Sequence, residues 1–465
     1  MIIGVADGIH LIEAVREADP ADHVVDRWRQ SLAGAGAACL LTTLTTVVGF
    51  LSLLITRIPL LHDFAWLVSF GLVMALIANL CLLPSLCVLA GPPPAGKVGP
   101  LSRFCGALAG LGYRRAVGTF ALGLLVFAAA AVQLRALEVD FFFSRMLDAS
   151  DSVSQGNQRL DTSLGGFIPL ELSVRATKGS FRDPEPLRQL EVLTQEGAQA
   201  MGSSLSYSTV LKELKRNLGE GTALPNSRAE IAQLELLLED APFEALVTYS
   251  RREARVVLSG VDRGSQDHLR VKRRLEARAE TLDQVEASLV GSMVAAAEGF
   301  GALVTELLQG LFIALALITL LIGWVFRSLR IALISLLPNT LPILCGLAVF
   351  PLLGLPLNIF SALFFTLALG IAVDDTIHLL ARIERERGQG AVDEQVIARA
   401  SQGTGGAIAS TSLVLVAGFL VLTWSAFPAN RTSGWIAAGL ISAALVADLL
   451  LVPAALGLQR SKRST

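Results

Sequence analysis

Apolar and polar positions separate along this chain by whole segments. Long apolar runs occupy about residues 31–56, 64–90, 116–134, 302–326, 328–350, 358–383, 404–425 and 433–457. Each is long enough to cross a hydrocarbon core of ~30 Å, so each predicts a membrane helix. The opening MIIGVADGIHLIEAVREA reads as the second half of one more such helix. This predicts a chain that begins part-way through a longer protein. Residues 14–30 read as a polar connection, and Arg57-Ile58-Pro59 as a break between two runs.

Between about 135 and 300 the pattern changes to short periodicities. LELSVRA (centred on 171–176), EARVVLSG (253–260) and QVEASLVG (284–291) read as strands. DPEPLRQLEVLTQEGAQAM and HLRVKRRLEARAETL read as helices, and residues 208–240 as a helical insertion. That order and spacing predict one α+β ferredoxin-like domain.

Composition agrees with a membrane protein: of 465 residues, 53% are hydrophobic and 17% charged, with mean hydropathy +0.59. The net charge of −2 identifies no partner, but the distribution of basic residues does assign sides. Arg16, Arg27, Arg29, Lys97, Arg103, Arg114, Arg115, Arg327, Arg330, Arg382, Arg385, Arg387, Arg399, Arg460, Lys462 and Arg463 fall on one side, expected to be cytoplasmic. The opposite short loops hold Arg57 and Arg431. The α+β domain is then expected outside the cytoplasm, periplasmic in a Gram-negative cell, with the helices in the inner membrane. Cys39, Cys81, Cys87, Cys105 and Cys345 form no disulfide framework and no metal-type spacing, and read as small packing residues.

The chemistry concentrates in NIFSALFFTLALGIAVDDTIHLLARI, residues 358–383. Asp374 and Asp375 lie eight and seven residues before Arg382, the first arginine of that stretch, so Asp374 is about 12 Å of helix inside it. A carboxylate in hydrocarbon costs about 2.5–3.5 kcal/mol, and such residues mark ion or proton pathways. Two adjacent acids in low dielectric cannot both stay ionised cheaply. The competing reading has both acids snorkelling to the surface.

The chain also repeats itself. Val5-Ala6-Asp7-Gly8-Ile9-His10-Leu11 matches residues 373–379, VDDTIHL, at a fixed displacement. With one more residue of displacement, Thr42, Gly49-Phe50-Leu51 and Pro84 match Thr411, Gly418-Phe419-Leu420 and Pro453, and Asn79 falls opposite Asp448. This predicts a polytopic α-helical fold of two parallel repeats, the first incomplete, with a site at their interface.

GIAVDDTIHLL (370–380), TTLTTVVGFLSLL (42–54), TSLVLVAGFLVLT (411–423), LGGFIPLELSV (164–174) and SLRIALISLLPNTLPILCGLAV (328–349) resemble the resistance-nodulation-division (RND) superfamily, specifically its MMPL type. The membrane half also resembles sterol-sensing domains. The resemblance implies twelve membrane helices in two repeats, of which this chain carries the end of the fourth through the twelfth. Residues 1–90 would end the first repeat, 91–115 form a cytoplasmic connector and 116–134 the seventh helix. Residues 135–300 would form a porter domain, 301–459 the rest of the second repeat and 460–465 a cytoplasmic tail. It further implies a proton relay between the fourth and tenth helices: Asp374 and Asp375 on one, Asp7 alone on the other, with Ala6 opposite Asp374.

His378 and His10 follow these acids at helical spacing. They read either as relay members or as solvated histidines capping a helix end. Thr42, Thr43, Thr45, Thr46, Thr411 and Ser412 could hydrogen-bond the acids or serve as packing glue. Asp448 could join the relay or be structural, and Gly370 allows close helix approach. The implied energy source is the proton gradient, with no cofactor. The implied partners are membrane lipids and a hydrophobic or lipid substrate, with a homo-oligomer or periplasmic partner left open. No Walker motif, nucleophile–base arrangement or nucleic-acid signature is present, so the chain does not read as an enzyme. The rival function is a non-transporting lipid sensor or scaffold of the sterol-sensing type.

Overall fold

The computed structural model describes residues 2–19, 21–91, 99–238, 245–388, 390 and 393–461. In chain order the first helices are α1 (Ile2–Glu17), α2 (Val24–Ser31), α3 (Ala37–Leu51), α4 (Pro59–Ile77), α5 (Leu83–Ala90), α6 (Pro100–Arg114) and α7 (Ala116–Gln133). There follow α8 (Ser152–Leu164), β1 (Ile168–Ala176), α9 (Pro184–Met201), β2 (Gly202–Leu205), α10 (Tyr207–Asn217), α11 (Arg228–Leu236), β3 (Glu253–Gly260), α12 (Ser265–Glu280) and β4 (Val285–Val290). The chain closes with α13 (Ser292–Val325), α14 (Leu329–Leu352), α15 (Ile359–Arg387), α16 (Glu394–Val421) and α17 (Pro428–Ser461).

Among the described residues, eight helical stretches are long and apolar enough to cross a membrane. The chain divides into two compact units, one of residues 1–139, 303–425 and 429–465, the other of 140–302 and 426–428.

In the membrane unit α15 is the inner helix. It packs against α3, α14 and α16, and buries Ala362, Phe365, Ala368, Leu369, Ala372, Val373, Ile377 and Leu380. Its start is fixed by Asn358, whose side chain accepts from the Ser361 N–H at 3.0 Å. Gly49 and Gly370 let α3 and α15 meet backbone to backbone: a Cβ at Gly49 would lie 3.5 Å from Gly370 Cα, and one at Gly370 would lie 3.2 Å from Thr46 Cγ2. Helices α4 and α7 lie at the edge, with Leu67 and Leu125 more than two-thirds exposed, as lipid-facing side chains are.

The expected polar connection at 14–30 is shorter than the sequence pattern predicts. Helix α2 runs through a π turn at Leu32–Gly36 into α3, giving one helical stretch Val24–Ile55. Arg27 is buried there, its guanidinium donating to the Val15 carbonyl at 2.8 Å. The arginine that looked solvated satisfies the open C-terminal turn of α1. Helix α6 occupies the middle of the connector and packs on α16 through small residues, with Cys105 Sγ donating to the Gly405 carbonyl at 3.4 Å.

The second unit holds a four-stranded sheet in the order β2-β3-β1-β4, every neighbour antiparallel. Alternation along β1 buries Ile168, Leu170, Leu172, Val174 and Ala176; β3 buries Ala254, Val256 and Leu258. Leu187, Leu190 and Leu193 of α9 and Val271 and Leu275 of α12 complete this core. The predicted insertion is α10 and α11; residues 239 and 240 of it lie outside the described residues. Strand β2 and helix α8 went unread, because GSSL has no apolar alternation and α8 buries little.

Candidate functional site

Six helices bring polar side chains to one region of the membrane unit. Asp7 of α1 is buried, and each of its carboxylate oxygens accepts one hydroxyl from α3: Thr42 on Oδ1 and Thr43 on Oδ2, both at 3.2 Å. Asp374 and Asp375, adjacent on α15, point to different helices. Asp374 Oδ1 accepts from Thr46 of α3 at 3.2 Å, while Asp375 Oδ2 accepts from Ser412 of α16 at 2.9 Å. The helical step of about 100° per residue makes this split unavoidable. Neither acid snorkels; both are half-buried and line a small internal cavity with Ala6, Asp7, His10, Ile371, His378, Thr411 and Leu415.

Thr46 has a choice of acceptors. Its single hydroxyl hydrogen lies within reach of the Thr42 carbonyl (2.8 Å), the Gly370 carbonyl (3.1 Å) and Asp374. Thr411 lines the cavity but bonds its own helix, donating to Ile408 O at 2.8 Å, and Thr45 likewise donates within α3. These two threonines do not hold an acid.

The reading of the histidines as solvated caps is overturned. His10 and His378 are buried and stack face to face, ring centroids 3.7 Å apart and planes within 6°. They line the carboxylate cavity on one side. On the other they line a second cavity with Glu13, Glu17, Arg382, Arg385, Gly403 and Thr404. Arg382 bridges Glu17 of α1 at 2.7 Å and Glu386 of its own helix at 3.1 Å at the rim of that cavity.

Asp448 of α17 is fully buried, with Oδ1 hydrogen-bonded to Thr376 of α15, whose hydroxyl also reaches Asn339 Oδ1 of α14 at 2.8 Å. Sequence reasoning missed Thr376 and Asn339. The available signal was Asn339 between two prolines, Pro338 and Pro342, where a helix interior is already interrupted.

Eight candidate membrane helices with carboxylates held at a helix crossing, together with an α+β unit in the same chain, define a multi-pass membrane protein of two units. The chain belongs to the MMPL family, whose model matches residues 9–104 and 189–462. It is 33% identical over 129 residues to a membrane protein of Methanocaldococcus jannaschii, a match covering 28% of this chain and 33% of that one. Its fold is similar to SecDF in the crystal structure of its super-membrane-facing form, with TM-score 0.57 and 16% identity over 100% of this chain. The chain spans 54% of the length of SecDF.

Proposed function

We propose that this chain forms part of a proton-driven RND-type exporter that moves a lipid or other hydrophobic molecule out of the cytoplasmic membrane. The observation that carries the reading is one contact made twice. Thr43 holds Asp7 as Ser412 holds Asp375, and both members of the two pairs occupy matching positions of the internal repeat. Other matched positions behave alike. His10 faces His378, and Asn79 lies against Gly8 as Asp448 lies against Thr376. Such correspondence supports two parallel repeats meeting at a central polar site.

Magnitudes argue that the acids serve a purpose other than stability. Inserting an acid costs about 2.5–3.5 kcal/mol. Interhelical hydrogen bonds in membranes return about 0.6 kcal/mol on average, about 1.7 at most. One or two hydroxyl contacts per acid therefore leave a deficit. Carboxyl groups that can exchange a proton beside a cavity give that deficit a use. Asp374 and Asp375 are the centre of the relay, Asp7 its counterpart on α1, and the histidine pair adjoins the cavity that opens among Glu13, Glu17 and Arg382. The distribution of basic residues supports the cytoplasmic side for that end.

The α+β unit is then the porter domain outside the cytoplasm. Its β-α-β halves and strand order β2-β3-β1-β4 support the ferredoxin-like reading. A second reading keeps one observation in its favour. Ala6 lines the cavity where the repeat puts Asp374 on the other helix, so the acids are unequal in number. A lipid sensor of the sterol-sensing type needs no matched relay.

Inverted membrane vesicles carrying the longest reading frame that contains this chain decide between them. Movement of a fluorescent hydrophobic probe should follow an imposed pH gradient, and Asp374→Asn and Asp375→Asn should each reduce it at least tenfold with unchanged membrane insertion. Transport unaffected by either substitution removes the relay. No transport with several probes favours the sensor.

A further inference from the structure

No metal-type spacing runs along the sequence, yet three helices converge on such a set. Asp7 of α1, Cys39 of α3 and His378 of α15 present a carboxylate oxygen, a thiol sulfur and an imidazole nitrogen within 4.8 Å of one another, and all three are buried. We propose that this trio is a binding site for a zinc ion, the fourth position being left to water.

Thiolate, imidazole and carboxylate together suit zinc. Tetrahedral zinc with bonds of about 2.0–2.3 Å needs ligand atoms roughly 3.3–3.8 Å apart. Side-chain movements of about 1 Å bring the trio to that spacing. Its surroundings are those of an oriented site. The two Asp7 oxygens accept Thr42 and Thr43, leaving lone pairs free, and stacking on His10 fixes the plane of the His378 ring. Cys39 Sγ already lies against Asp7, with a long contact of 3.9 Å to the Asp7 backbone carbonyl. An approach exists as well. The cavity bordered by Glu13 and Glu17 reaches His378, which also lines the inner cavity beside Asp7. Binding displaces the Cys39 thiol proton to solvent, leaving the thiolate on the metal.

Bound zinc ties α1, α3 and α15 together and occupies Asp7, so it acts as a brake on any rearrangement there. The site itself is independent of the export reading and is tested without transport. Cobalt(II), which takes zinc sites and absorbs visibly, is added to purified full-length protein retaining Cys39 as its one cysteine. A thiolate-to-cobalt charge-transfer band should appear and be abolished by zinc. Cys39→Ala should remove the band, while Asp7→Asn and His378→Ala should weaken cobalt binding at least tenfold, each variant eluting as a single species. Absence of the band in the parent protein overturns the site, as does cobalt binding left unchanged by both Asp7→Asn and His378→Ala.

Discussion

Thr376 has one hydroxyl hydrogen and two oxygen acceptors, Asn339 Oδ1 and Asp448 Oδ1. The chain of contacts closes if the Asn339 amide turns its Nδ2 toward Thr376, or if Asp448 carries the missing proton. Asp448 Oδ2 has no hydrogen-bond partner among the described residues, which disfavours a charged carboxylate there. A neutral amide should therefore replace Asp448 at little cost. Asp448→Asn is expected to keep probe transport within about twofold, whereas Asp448→Leu, which removes one of the two partners of Thr376, should destabilise the protein by about 1–3 kcal/mol. Detergent-solubilised thermal unfolding and vesicle transport check both; a tenfold transport loss in Asp448→Asn would make Asp448 a proton carrier instead. At this scale the sequence revealed the acids well, because an acid inside an apolar run stands out. Their partners were less legible. Threonines that hold an acid and threonines that bond their own helix look identical in a string, and Thr42, Thr43 and Thr46 differ from Thr45 only by the helix face they occupy.

The α3–α15 crossing is where small residues matter most. A Cβ at position 370 lands 3.2 Å from Thr46 Cγ2, inside ordinary contact distance, so larger groups must push the helices apart. Gly370→Leu is expected to cost about 1–3 kcal/mol by overpacking and to draw Thr46 away from Asp374. A lowered unfolding temperature together with at least a tenfold loss of transport is the expected result; normal values of both would mean the crossing is loose. Element type was legible wherever a run was long and apolar, and all eight membrane runs recur as helices. Ends were not. Helices α13 and α16 begin about ten residues before their apolar runs, because polar residues such as Glu394 continue a helix that side-chain capping by Asp393 has already started.

Over the whole molecule, acid should affect the α+β unit by two separate routes. His268 of α12 is buried, with neither ring nitrogen hydrogen-bonded among the described residues. Burial holds its imidazole below the ordinary value of 6.5, against the pull of Asp262, Asp267 and Asp140. Below about pH 6.5 the unfolded chain binds a proton that the folded unit resists, so stability falls as pH drops through that range, by at most about 1.4 kcal/mol per pH unit. Glu235 acts lower. Burial alone would raise its carboxyl, but hydrogen bonds from Arg182, Tyr207 and Arg251 outweigh this and hold it below the ordinary 4.5. Its contribution is complete above that value and is lost as pH falls through the lower folded one. Protection factors for hydrogen exchange at β1 and β3, corrected for the intrinsic slowing of exchange in acid, should therefore fall between pH 7 and 5, and His268→Leu should flatten that part of the profile. An unchanged profile would assign the slope to other groups.

Helix α6 gives the connector a consequence for how the polypeptide could be divided. It is seated on α16 and α17 by close glycine contacts: a Cβ at Gly106 would lie 2.5 Å from Gln402, and one at Gly112 would lie 2.5 Å from the Leu450 carbonyl. The residues between Gly91 and Pro100 therefore separate two pieces that each keep one side of a complementary seam. The upstream piece carries Gly49 and the downstream piece Gly370. A cut at this point would leave the α3–α15 crossing as a seam between two polypeptides, with its two glycines on different pieces.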